Sequence, residues 1–253
     1  MDKNQNPLHA FIAGILIGLA ITIIAVIFAL LPSCNAPKSP KTSLALVGHD
    51  RTEQMTAHPD AASLLPFLSL DEDPNQGAEI DFFDVTDVSL NKYVTFSLAA
   101  EKGSLANPFT RKRQIAKFKS DIDNYLDTAA HDTVGHDRSS VYHPMVSALT
   151  ELAQSTATDR TLILYSDLAE NENDISFYRP GTLALLRSDP DRIAAELAAK
   201  APLPDDLSGI RVYFIYQPSN PQSDALFQTV SSFYKSLLEK RNATVVIEGN
   251  LRK

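Results

Sequence analysis

The sequence predicts an α/β protein: a doubly wound, mostly parallel six-stranded sheet with one antiparallel edge strand, behind an N-terminal transmembrane helix. Three observations predict it. Short apolar runs alternate with amphipathic stretches from residue 43 almost to the C-terminus, the pattern of a sheet with helices on both faces. Two β-rich runs, 80–88 and 93–99, are joined by a link too short for a parallel crossover, so they pair antiparallel. An uncharged apolar run, 10–31, precedes all of this.

Composition sets the outer bounds. The 253 residues are 44% hydrophobic and 21% charged, which is globular and excludes a wholly disordered chain. A formal net charge of −8 argues against a nucleic-acid partner, because such proteins present a basic face. A single cysteine, Cys34, excludes a disulfide framework.

Residues 10–31 read AFIAGILIGLAITIIAVIFALL. As a helix they extend about 33 Å, enough to cross a hydrocarbon core with some tilt. Gly14 and Gly18 form a small-xxx-small pair. The run ends Leu31-Pro32-Ser33-Cys34, which resembles a bacterial lipoprotein signal with Cys34 as the lipidated residue. Either anchor, uncleaved helix or lipid, tethers the same domain to a membrane. Lys3 lies on one side of the run and Lys38 and Lys41 on the other, so the positive-inside balance is nearly even. A short tail, 1–9, on the cytoplasmic side is the commoner arrangement, which puts the following domain on the extracytoplasmic side. Residues 32–42 are a Pro/Ser/Lys linker and 43–253 the domain.

Within the domain, 43–48 is a buried parallel strand (SLALVG), and 58–70 carries a short helix interrupted by Pro66. The stretch 71–77, DEDPNQG, is an acidic turn without the spacing of an EF-hand. Residues 110–129 form an amphipathic helix with Ile115, Phe118, Ile122 and Leu126 on one face. The basic cluster Arg111-Lys112-Arg113 in its first turn reads as a solvated face or a site for an acidic partner. A helix over 139–154, a central strand over 161–165 and a long loop over 168–181 follow. Then come a helix over 189–200, a strand over 211–216, a helix over 224–240 and a closing strand over 243–248.

The strand ends carry the chemistry-bearing residues. The first strand runs into His49-Asp50-Arg51-Thr52-Glu53-Gln54, the loop before the 139–154 helix reads Asp137-Arg138-Ser139-Ser140, and the 161–165 strand ends in Tyr165-Ser166-Asp167. With the order of elements and the early hairpin, these residues resemble the von Willebrand factor A (vWA) family. In that family a metal-ion-dependent adhesion site combines an Asp-x-Ser-x-Ser turn, a Thr before a middle helix and an Asp after the fourth strand. The resemblance covers about residues 43–248 and implies a Mg²⁺ site built from Asp50, Thr52, Ser140 and Asp167. Ser139 is an alternative to Ser140, and Gln54 departs from the family's second Ser. Hydroxyls and carboxylates are the hard oxygen ligands that Mg²⁺ takes, and the residual positive charge then accepts a partner's carboxylate. Without a metal, Asp50 and Asp167 would hydrogen-bond loop backbone and Thr52 would cap a helix.

Other constellations are weaker. His131, His136 and His143, with Asp132 and Asp137, match no zinc spacing. No Gly-x-Ser-x-Gly elbow is present, and Gly48 stands alone where a phosphate loop needs several glycines. The loop 170–174 at the same edge reads as a specificity loop or as a solvated acidic one. The function expected is therefore a membrane-anchored interaction or scaffolding module that binds a protein partner at the C-terminal edge of its sheet. The alternative is a membrane-tethered metal-dependent hydrolase, a phosphoesterase on a Rossmann-like sheet using Asp50 and Asp167.

Overall fold

The structure is a computed structural model that describes residues 41–51, 57–86, 93–101, 107–130 and 139–252. The apolar run 10–31, Cys34, the linker and Thr52 lie outside the described residues. Among the described residues no helix is long and apolar enough to cross a membrane.

Six strands build one sheet: β1 (Thr42–Asp50), β2 (Gly77–Val85), β3 (Val94–Leu98), β4 (Asp159–Tyr165), β5 (Ile210–Ile215) and β6 (Thr244–Glu248). Their order is β3-β2-β1-β4-β5-β6. Every neighbouring pair is parallel except β2–β3, so the expected antiparallel strand sits at one edge. β1 is central, flanked by β2 and β4. It is buried on both faces, since the consecutive residues Leu46 and Val47 are both inaccessible. Gly48 in β1 is required by a close approach. A Cβ there would stand 2.6 Å from Leu164 and 2.7 Å from Phe83.

The helices are α1 (Ala61–Leu64), continued by a 3₁₀ turn (Leu65–Leu68), α2 (Pro108–Ala130), α3 (Tyr142–Gln154), α4 (Pro180–Ser188), α5 (Pro190–Lys200) and α6 (Pro221–Glu239). Pro66 converts the end of α1 into the 3₁₀ turn, as expected of a residue that cannot donate within a helix. Two consecutive β5 residues show the double winding. The Tyr213 ring packs on Phe67 of the 3₁₀ turn, and the Phe214 ring packs on Tyr234 of α6. Adjacent strand residues point to opposite faces, so α6 and the 3₁₀ turn cover opposite sides of the sheet.

Two features depart from the sequence reading. Helix α4 occupies residues left inside or just beyond the predicted 168–181 loop. Pro180 does not break the chain there but opens the helix at its first position. The second is the basic cluster of α2. Arg111 is not on a solvated face. Its side chain is buried and donates to three backbone carbonyls: Nε to Pro74 at 2.6 Å, Nη1 to Ala99 at 2.9 Å and Nη2 to Gln76 at 2.6 Å. Lys112 and Arg113 are exposed as expected.

Candidate functional site

In an open α/β sheet the C-terminal strand ends, with their loops, form the ligand-binding edge. Here that edge is assembled around two buried carboxylates. Asp50 closes β1, and its Oδ2 accepts from the Ser166 hydroxyl at 2.8 Å and the Ser139 hydroxyl at 3.2 Å. Ser166 also accepts the Leu168 N–H at 2.9 Å, so one hydroxyl joins the turn after β4 to the end of β1. Of the two serines before α3, Ser139 is the one that turns its hydroxyl to Asp50. Ser140 is buried and ties the loop to the end of β2 through its N–H, which donates to the Thr86 carbonyl at 3.1 Å. Thr52 lies outside the described residues.

Asp167 follows Ser166 and is also buried. Its Oδ1 accepts the Ala169 N–H at 2.9 Å and its Oδ2 accepts the Tyr178 hydroxyl at 2.6 Å. The next residue, Leu168, has φ 64 in the left-handed region and is wholly buried. That conformation costs a branched side chain roughly 1–2 kcal/mol. The packed Leu168 side chain and the bond to Ser166 hold it, and the turn fixes the direction of Asp167.

A third buried carboxylate, Glu170, organises the start of α3. Its Oε1 accepts the Val141 N–H at 3.1 Å, the Tyr142 N–H, and the Tyr234 hydroxyl at 3.2 Å. It thus satisfies N–H groups that the helix leaves without intrahelical partners, supplied from another loop. Burial pushes its carboxyl up to about 8, against the downward pull of the Tyr142 N–H and the Tyr234 hydroxyl. In the loop after it, Asn173 and Asp174 are exposed and the flanking residues are anchored. Ile175 and Phe177 are core residues, Asn171 bridges Ser176, and Lys200 from α5 pairs with Glu172 at 2.5 Å and Asp174 at 2.8 Å.

The flank of the edge is cationic or neutral. Arg51 pairs with Asp84 at 2.7 Å and reaches the Ala129 carbonyl at 3.4 Å. His49 and His58 bring ring nitrogens to 3.3 Å with their rings nearly perpendicular. Burial, then the charges of Arg51 and His58, pushes His49 down to about 4. His49, Ser166, Glu170, Tyr178 and Tyr234 were not assigned roles from sequence. Ser166 alone carried a local signal, as the residue between Tyr165 and Asp167.

Among the described residues the edge offers a hard cation oxygen donors, the Asp50 and Asp167 carboxylates and the Ser139 and Ser166 hydroxyls. That chemistry suits Mg²⁺. These groups also carry hydrogen bonds of their own, the two hydroxyls donating to Asp50 and the Asp167 oxygens accepting from Ala169 and Tyr178. Among the described residues no group of three or more His, Cys, Asp or Glu side chains is placed to hold a metal ion. Of the histidines weighed for zinc, His143 lies in α3 with its Nδ1 buried and unpartnered. His131 and His136 lie outside the described residues.

No family model matches the chain, and no curated protein matches it. Among solved structures the chain is similar to an aerotolerance-related membrane protein from Bacteroides fragilis carrying multiple mutations to serines. The identity is 9%, with 81% of this chain and 90% of that one covered at a TM-score of 0.34. It is also similar to a mutant of the PilB minor pilin from Streptococcus sanguinis. There the identity is 12%, with 84% of this chain and 58% of that one covered at a TM-score of 0.41. The chain thus spans somewhat over half of the minor pilin's length. The α/β architecture rests on the strand order itself.

Proposed function

We propose that this chain is a membrane-anchored, vWA-like interaction module that binds a protein partner at the C-terminal edge of its sheet. The observation that carries the reading is the Asp50 carboxylate, buried at the end of the central strand and held by hydroxyls from two other loops. Three loops are thereby fixed around one oxygen-rich point, which is the preorganisation a recognition site needs. Asp50 and Asp167 are the carboxylates to hold Mg²⁺, with Ser139 and Ser166 beside them and Thr52 and Ser140 as the further donors suggested by the vWA resemblance. A bound Mg²⁺ supplies residual positive charge for a partner's carboxylate. The protein's own residues position the loops and keep bulk water from the buried oxygens. The hydrolase reading draws no comparable support, because Arg51, the cation next to Asp50, is turned to Asp84.

The test is calorimetric titration of Mg²⁺ and Mn²⁺ into the full chain in detergent, beside Asp167→Ala. Saturable heat in the native chain that disappears in the variant is the expected result. Equal heats in both, or none in either, remove the metal from the proposal. Partner capture that survives Asp50→Ala removes the edge.

A further inference from the structure

At the opposite end of the sheet one large apolar side chain stands out. Phe109, in the first turn of α2, is 81% exposed, well beyond Tyr178 at 43% or Tyr93 and Val94 at 38%. It is not on a loose end. The Asn107 side chain accepts the Phe109 N–H at 3.0 Å and the Thr110 N–H at 3.4 Å, which caps the helix. Two residues on, Arg111 grips the carbonyls of Pro74, Gln76 and Ala99. The ring is therefore held out in water by a rigid support.

Lys112 and Arg113 lie three and four residues after Phe109, so they share its helix face. Both are exposed, and neither has an ion partner among the described residues. The acidic groups at this end are accounted for in part. Asp71 pairs with Lys119 at 2.8 Å and Asp73 accepts the Asn75 N–H at 3.0 Å, while Glu72 and Glu101 add negative charge nearby. The electrostatic pull of the face is thus small, and the aromatic ring is its distinguishing feature.

The position of this face in the chain bears on what it meets. Gln76 and Ala99, two of the residues that hold Arg111, flank the start of β2, where the Gly77 N–H donates to the Lys41 carbonyl. Thr42, the first residue of β1, pairs with Gly77. The chain therefore enters the sheet at the same end as Phe109, after a linker that follows the apolar run 10–31. Fully extended, such a linker spans at most about 33–36 Å. An aromatic ring with Lys and Arg on one helix face, within that reach of a bilayer anchor, has the chemistry of an interfacial contact.

We infer that Phe109, with Lys112 and Arg113, seats the N-terminal end of the sheet on the phospholipid surface, the ring entering the headgroup boundary and the two cations meeting lipid phosphates. One such ring binds weakly by itself, and the tether supplies the second signal that stable attachment needs. The contact points the C-terminal edge, with Asp50 and Asp167, away from the bilayer. It rests on the membrane tether of the proposed function and not on its binding edge, so this test and the metal titration fail independently.

The chain contains no tryptophan, so Phe109→Trp installs a single reporter in the full chain. The variant is reconstituted into vesicles of phosphatidylcholine and phosphatidylglycerol with and without brominated acyl chains. The control is Ile247→Trp, on β6. The expected result is blue-shifted emission from Phe109→Trp, quenched about twofold by bromolipid, with the control unaffected. Adding Lys112→Glu and Arg113→Glu lowers that quenching. Water-like emission without bromolipid quenching overturns the inference. So does a blue shift without quenching, which means that protein covers the ring, or equal quenching of the Ile247→Trp control.

Discussion

The two ends of the sheet solve one problem with opposite charges. At the C-terminal edge Asp50 and Asp167 are buried carboxylates that take hydroxyl and N–H donors, beside the Glu170 carboxyl that takes the Val141 N–H. At the N-terminal end Arg111 is a buried cation that takes three backbone carbonyls. Among the described residues neither set of groups is met by a buried ion pair, whose desolvation often cancels its attraction. The difference lies in what remains outside. The carboxylate end presents a polar rim of loops, and the arginine end presents Phe109, Lys112 and Arg113. A buried charge met by dipoles fixes chain segments in place, and the surface those segments display can then differ completely.

The largest expected effect tests the carboxylate end. Glu170 has its folded value raised from 4.5 to about 8. Below 4.5 both folded and unfolded chains carry the proton. As pH rises from 4.5 to about 8 the unfolded chain releases it first, so stability falls, by on the order of 5 kcal/mol in total. Denaturant unfolding across this pH range reads the slope, and Glu170→Gln removes it. His49 has the opposite sign. Its value is lowered from 6.5 to about 4, so its contribution is present above 6.5 and is lost as pH falls towards 4. His49→Gln therefore flattens the acid side alone. A slope unchanged by either variant breaks the claim that these groups govern the edge.

Next comes the arginine end. Arg111→Met keeps the bulk of the side chain but strands three carbonyls, at an expected cost of about 3 kcal/mol in denaturant unfolding. Arg111→Lys recovers only part, because an ammonium lacks the fork that spans separate acceptors. A loss below about 1 kcal/mol for Arg111→Met would put the exposed Phe109 on a looser support than the comparison assumes.

Two residues before Asp50 in β1, Gly48→Ala forces a methyl group against Leu164 and Phe83 and costs about 2 kcal/mol. It serves as a comparison that disturbs strand packing without removing a side-chain hydrogen bond. The smallest effect sharpens the carboxylate end. Ser166→Ala removes its hydroxyl from Asp50 and costs about 1 kcal/mol, with Ser139→Ala below that because its bond is longer. A double-mutant cycle of each serine against Asp50→Asn isolates the coupling.

The strands were legible in the sequence because a buried strand is a local statement: TLILY and RVYFIY announce themselves by composition. Helix α4 was not, because Pro180 and Gly181 carry loop signals and its nine residues are too few to show a period. Arg111 was misread for a different reason. Its acceptors lie 12 to 37 residues away in the chain, and no local pattern reports a contact made by folding. At the candidate site, Asp50 and Asp167 were placed at one edge because strand ends can be read from the runs before them. Which of Ser139 and Ser140 faces Asp50 depends on the backbone angles of one loop, which adjacent identical residues do not reveal. Glu170 capped a helix from a distant loop and so left no capping signature next to α3.

The central place of β1 bears on how the protein is made. Its partner on one side, β2, follows within a few dozen residues, but its partner on the other, β4, begins at Asp159. At a synthesis rate of about 5–20 residues per second, the ribosome takes roughly 6–23 s to deliver β4 after β1 has emerged. Throughout that interval the strand that will sit at the centre of the sheet has an open hydrogen-bonding edge, which makes it a natural target for chaperones and for strand-to-strand aggregation.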